Sequence, residues 1–214
     1  MRPAILFPAL LLAASCAHLP LLAPVDENQA QAAAASCKQA FPSQPWRATH
    51  TLFAALPFGQ NSELIGVTAV GSEGLHSILL SPEGISLFDG VQKSGPVAGL
   101  VVHRAVPPFD RPDFAASLMA DVGSAFLPPA GPPMAIGTYH TGETVCRWSP
   151  PGGETTDVEL SEGGPRTIRT YRAMHATREI LLVGVPASGF YPLVVLRVRG
   201  SGGYELEMRL VDRE

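Results

Sequence analysis

From residue 46 onward the chain alternates between short apolar runs and breaks rich in glycine and proline. Residues 64–70 (LIGVTAV) and 75–80 (LHSILL) flank Gly71, Ser72, Glu73 and Gly74, the chemistry of a tight turn. Ser81, Pro82, Glu83 and Gly84 make a second turn, leading into 85–88. Further strand candidates cover 49–56, 97–106, 143–148, 155–160, 166–172, 180–185, 192–198 and 204–211. The last shows the clearest period of two. Tyr204, Leu206, Met208 and Leu210 alternate with Glu205, Glu207 and Arg209, as expected of a half-buried strand. Consecutive short strands with tight connections predict an antiparallel meander. The expected fold class is mainly β (α+β), a single curved antiparallel sheet of about 10–11 strands.

Two segments break this rhythm. Phe114, Leu118, Val122 and Phe126 recur every four residues, one apolar stripe of a helix over 110–129. Asp110 is the expected N-cap, Pro112 sits in the first turn, and Pro128 and Pro129 stop the helix. The stripe either seals a sheet core or forms a lid over a cavity. Residues 29–39 are alanine-rich and free of Pro and Gly, a short helix that needs packing to be stable. No domain boundary or internal repeat interrupts 45–214.

Composition narrows the picture. The 214 residues include 21 Gly and 21 Pro, with 46% hydrophobic and 16% charged residues. That excludes two large domains, a mainly helical chain and wholesale disorder. A formal net charge of -4 gives no basic footprint for nucleic acid, so none is expected as a partner.

The chain begins with Arg2, an apolar run over 5–12, and the small residues Ala13, Ala14 and Ser15. This reads as an export signal over 1–15, too short to span a bilayer. The segment Leu12, Ala13, Ala14, Ser15, Cys16 resembles a bacterial lipobox, although the usual leucine three residues before the cysteine is here Ala13. The resemblance implies cleavage before Cys16 and lipidation of Cys16, which anchors the protein in a membrane. Ala17 then implies the outer membrane, facing the periplasm. Several acyl chains together hold a protein stably where one does not. Residues 16–44 become a lipidated tether with a short helix, and 45–214 the β domain.

Cys37 and Cys146 remain, either as a disulfide in an oxidising compartment or as two buried thiols. No CxxC suggests redox catalysis. Histidines 18, 50, 76, 103, 140 and 175 are scattered, with no HExxH, so no metal is expected. GxSxG, Walker and dinucleotide fingerprints are missing, and no cofactor or catalytic residue is proposed. Asp110 and Asp113 suit a helix start. Glu205 and Glu207 suit an exposed strand face rather than a glycosidase pair. Trp46, Trp148, Tyr139, Phe190 and Tyr191 are candidates for core or pocket rim. Arg166, Arg169 and Arg172 form a stripe for a solvated face or for anionic headgroups.

Four features carry a family resemblance: the lipobox at Cys16, the strand pair LHSILLSPEGISLF at 75–88, the helix DRPDFAASLMADVGSAFLPP at 110–129, and the closing GYELEMRLVD at 203–212. Together they resemble bacterial lipoproteins related to the acceptor LolB and the periplasmic carrier LolA. The chain is similar in particular to a lipoprotein family often encoded near fatty-acid or aryl-polyene biosynthesis genes. The resemblance implies an unclosed antiparallel barrel whose helices cover an apolar cavity. It also implies binding or transfer of a lipid, acyl conjugate or lipoprotein without enzymatic chemistry, in exchange with a periplasmic carrier protein. Candidate cavity-lining residues are Leu64, Ile78, Leu80, Leu87, Leu118, Val122, Val183, Leu206 and Met208. The acceptor's exposed loop leucine has its nearest analogue in Leu56 or Phe58. The alternative is a structural or interaction lipoprotein of an envelope assembly, with a packed interior and no ligand. A hydrolase lacks any supporting motif.

Overall fold

The computed structural model describes residues 19–55, 61–93, 99–200 and 203–214. The expected signal segment, Cys16, Leu56 and Phe58 lie outside the described residues.

Among the described residues thirteen strands form a single, wholly antiparallel sheet. They are β1 (Ala23–Pro24), β2 (Trp46–Ala55), β3 (Asn61–Gly71), β4 (Gly74–Leu80), β5 (Ser86–Lys93), β6 (Gly99–Ala105), β7 (Ala135–Thr138), β8 (Thr144–Trp148), β9 (Thr155–Ser161), β10 (Gly164–Arg172), β11 (His175–Val183), β12 (Leu193–Val198) and β13 (Glu205–Arg213). Their spatial order is β1-β7-β8-β9-β10-β11-β12-β13-β2-β3-β4-β5-β6. β1 and β6 do not pair with each other, so the sheet stays open. Two meanders, β2–β6 and β7–β13, are joined where β13 pairs with β2.

The turn chemistry read from the sequence joins β3 to β4 and β4 to β5. The strand count exceeds the expected 10–11 because β1 and β7 were not anticipated. They have 2 and 4 residues, too few to show a period. β1 pairs with β7, so residues before 45 take part in the sheet.

Helix α1 (Glu27–Lys38) starts at Asp26, whose carboxylate accepts a hydrogen bond from the Gln29 backbone N–H at 2.8 Å. Its buried residues Ala33 and Cys37 lie against β7–β10, and Cys37 is bonded to Cys146 of β8. Helix α2 (Pro112–Phe126) packs against β4 and β5. Its N-cap is Arg111 rather than Asp110. Arg111 has the extended backbone that precedes a helix, no side chain caps it, and Pro112 opens the first turn where a missing N–H costs nothing.

Strand parity sets the inner face. In β2, Trp46, Ala48, His50, Leu52 and Ala54 are buried, while Arg47, Phe53 and Ala55 are exposed. Trp46 packs against Phe126 of α2 with its ring tilted by 56° and meets Phe190 edge-on, centroids 5.5 and 5.3 Å away. In the other meander Val158, Ile168, Ile180 and Leu196 form the matching inward row. The helices therefore cover different parts of one sheet, α1 over β7–β10 and α2 over β4 and β5.

Candidate ligand cavity

Beneath α2 lies a cavity of about 270 Å³. Register places its wall in rows across β2, β3 and β4. Ala48 pairs with Thr68 and Thr68 with Ser77. His50 pairs with Gly66 and Gly66 with Leu79 in the next row, and then Leu52 pairs with Leu64 and Ala54 with Ser62. β13 and the residue before it extend the wall with Tyr204, Leu206 and Met208. The roof is the α2 stripe Phe114, Leu118, Val122 and Phe126, joined by Pro107, Pro108 and Phe109. A helix repeat of 3.6 residues and a strand repeat of two thus converge on one apolar space. Gly66 keeps the floor low there: a Cβ on it would lie 2.9 Å from the Leu52 side chain.

Six of the nine residues expected to line a cavity do so: Leu64, Leu87, Leu118, Val122, Leu206 and Met208. Ile78 and Leu80 do not. The buried positions of β4 are Leu75, Ser77 and Leu79, so Ile78 and Leu80 are directed to the opposite face. Val183 is 45% exposed, because Ile180 and Leu182 are the inward residues of β11. Sequence reading missed His50, Thr68 and Ser77. His50 sits in the alternation Ala48, His50, Leu52, where the two apolar neighbours were the available signal.

A polar latch fixes the roof. Asp121 of α2 is buried. Its carboxylate accepts hydrogen bonds from Arg178 of β11 and from the Tyr204 hydroxyl. Arg178 also reaches Glu154 at 2.8 Å. Burial first, and then the Asp121 carboxylate, push the Tyr204 phenol well above its ordinary pKa, so it stays a donor. The only signal in the sequence was one acidic residue within an apolar helix face.

His50 is 2% exposed, and burial lowers its pKa from 6.5 to about 4. It is neutral near pH 7 and packs against Phe126 with the rings tilted by 41°, centroids 5.3 Å apart. In the unfolded chain it takes up a proton around pH 6.5, whereas the folded site resists protonation until about pH 4. Its stabilising share is full above pH 6.5 and is lost as pH falls toward 4, about 3 kcal/mol over the whole window. Urea midpoints measured from pH 7 to pH 4 should drop in the wild type. H50L should flatten that part of the profile.

On the sheet face opposite the core Arg169 bridges Glu159 and Glu179. Arg172 binds Glu154 at 2.7 Å, beside the Arg178 end of the latch. Two members of the arginine stripe are therefore engaged within the fold. Among the described residues no cluster of His, Cys, Asp or Glu is arranged to hold a metal ion, and no helix is long and apolar enough to cross a membrane. A groove of about 660 Å³ between α1 and β7–β9 has mixed walls that include Gln29, Glu143 and Glu162.

No protein-family model matches the sequence, and no curated protein is recognisably similar to it. Solved structures do match. A LolA superfamily protein of Nitrosomonas europaea superposes with a TM-score of 0.50 at 10% identity, covering 86% of this chain and 92% of its own. A Vibrio parahaemolyticus domain described as an outer-membrane lipoprotein-sorting protein superposes with a TM-score of 0.51 at 8% identity, covering 88% and 93%. At these identities the likeness is one of fold. The open antiparallel sheet and its covering helices, expected from the strand pattern and the resemblance, are those of the LolA-like fold.

Proposed function

We propose that this LolA-like chain binds and passes on a lipid, an acyl conjugate or the acyl part of a lipoprotein, without bond-making chemistry. The observation that carries the reading is the apolar cavity under α2. At about 30 Å³ per water-sized group, 270 Å³ holds roughly nine such groups. Nine methylenes at about 0.8 kcal/mol each give roughly 7 kcal/mol gross, comparable to the ~4–15 kcal/mol cost of association. A single chain is therefore held loosely, which suits transfer better than storage. The lipobox supports an outer-membrane anchor at Cys16, and the neighbour from Vibrio parahaemolyticus supports an envelope setting facing the periplasm. In that setting the exchange partner is a periplasmic carrier.

Native mass spectrometry of the purified protein should show co-purified acyl species, and an uncharged fluorescent acyl probe should be taken up. L118W places an indole into the roof and should weaken uptake at least tenfold with an unchanged circular dichroism spectrum. A wild-type protein that takes up no acyl compound would refute the reading. One observation favours the alternative of an envelope scaffold: Phe53, Ile65, Val67, Ile78 and Leu80 share the outward face of β2–β4. Under that reading, substitutions on this face disrupt an envelope complex while L118W has no effect.

A further inference from the structure

The cavity is not uniformly apolar. Ser77, His50 and Thr68 are exposed by 1%, 2% and 5%, and they come together in two adjacent rows of the wall. At the other end of the same strands Ser62 and Leu64 are only half-buried. From Ser62 to Thr68 is about 20 Å of extended strand, so the polar group lies at the deep end. Among the described residues the His50 ring has no hydrogen-bond partner, and burial alone accounts for its lowered pKa. A neutral imidazole offers one donor and one acceptor, and each hydroxyl can act either way. Buried polar atoms are ordinarily satisfied, and these three open onto ligand space. No Lys, Arg, Asp or Glu lines the cavity among the described residues. A charged headgroup at that depth would be buried without a counter-charge.

We propose that the deep end, formed by His50, Thr68 and Ser77, receives an uncharged group of the ligand that both donates and accepts hydrogen bonds, a hydroxyl being the smallest case. The ligand class is then a neutral amphiphile with its polar group innermost and its hydrocarbon toward Ser62 and Leu64. This rests on the acyl-binding reading and adds an orientation and a headgroup class to it. A simple fatty-acid anion does not fit head-first, and a fully apolar chain leaves the three polar groups unmatched.

The test uses the purified full chain and displacement of the fluorophore N-phenyl-1-naphthylamine at pH 8. Competitors are 1-decanol, decyl methyl ether, which accepts but cannot donate, and decanoate. Decanol should displace the probe at a concentration at least tenfold below that of either other compound. H50L should bring decanol and the ether to within about twofold of each other. The double variant T68V and S77A should do the same, and serves if H50L fails to fold. A wild type that binds the probe and treats all three alike, or prefers decanoate, overturns the neutral polar end and leaves the cavity reading intact. A wild type that binds neither probe nor competitor overturns both.

Discussion

Replacing Asp157 with alanine is expected to lower the unfolding free energy by about 3–5 kcal/mol. Asp157 of β9 is fully buried. Its carboxylate accepts hydrogen bonds from Arg147 Nε at 2.7 Å, from Arg147 Nη2 at 2.6 Å and from the Tyr139 hydroxyl at 2.7 Å. The Arg147 side chain is itself mostly buried. Removing the carboxylate strands a guanidinium and a phenol that have little access to water, and that unpaired charge is the main cost. Burial, followed by the Asp157 bond, drives the Tyr139 phenol above its ordinary pKa, so it cannot ionise to adapt. Urea unfolding of D157A gives the magnitude. The double variant R147M with D157L should recover most of the loss, because it removes both charges. A loss below about 1 kcal/mol in D157A would show that this cluster is solvated and not structural.

Cutting the Cys37–Cys146 bond is the second large perturbation. The two residues are 109 apart in sequence, and the bond ties α1 to β8. Loops of this size restrict the unfolded chain strongly, and their loss typically costs about 2–4 kcal/mol. The double variant C37A and C146A, or the wild type under reductant, should therefore unfold at clearly lower denaturant. The cavity lies under α2 and shares no lining residue with α1. Uptake of an uncharged fluorescent acyl probe by the protein that remains folded should be nearly unchanged. Coincident midpoints with and without reductant would contradict the expected contribution.

The sequence revealed most about the elements whose own residues carry a period. β13 alternates cleanly, and Leu206 and Met208 are inward as the pattern requires. The stripe of α2 falls entirely on the cavity roof, because four-residue spacing fixes a helix face without knowledge of its partner. β4 behaved otherwise. Residues 78–80 are Ile, Leu and Leu, so neither parity is visibly polar, and a one-residue choice sends Ile78 and Leu80 to the opposite face. Val183 closes an apolar run and suffers the same ambiguity. His50 and Asp121 were beyond local reading for a different reason. Each gains its role from residues on other elements, His50 from Thr68 and Ser77, Asp121 from Arg178 and Tyr204. The ion pairs among Arg147, Asp157, Glu159, Arg169 and Glu179 depend likewise on cross-strand register.

The position of β13 has a consequence for how the molecule assembles. The last strand pairs with β2, so Glu205 lies beside Ala55 across 150 positions of chain. Closing so long a loop is entropically slow, whereas each hairpin of either meander is local. Two half-sheets are expected to form first and to be sewn together by the final strand. Tyr204, Leu206 and Met208 belong to that seam and also to the cavity wall. The cavity is therefore the last part of the protein to come into being, and a chain caught before the seam closes lacks that wall.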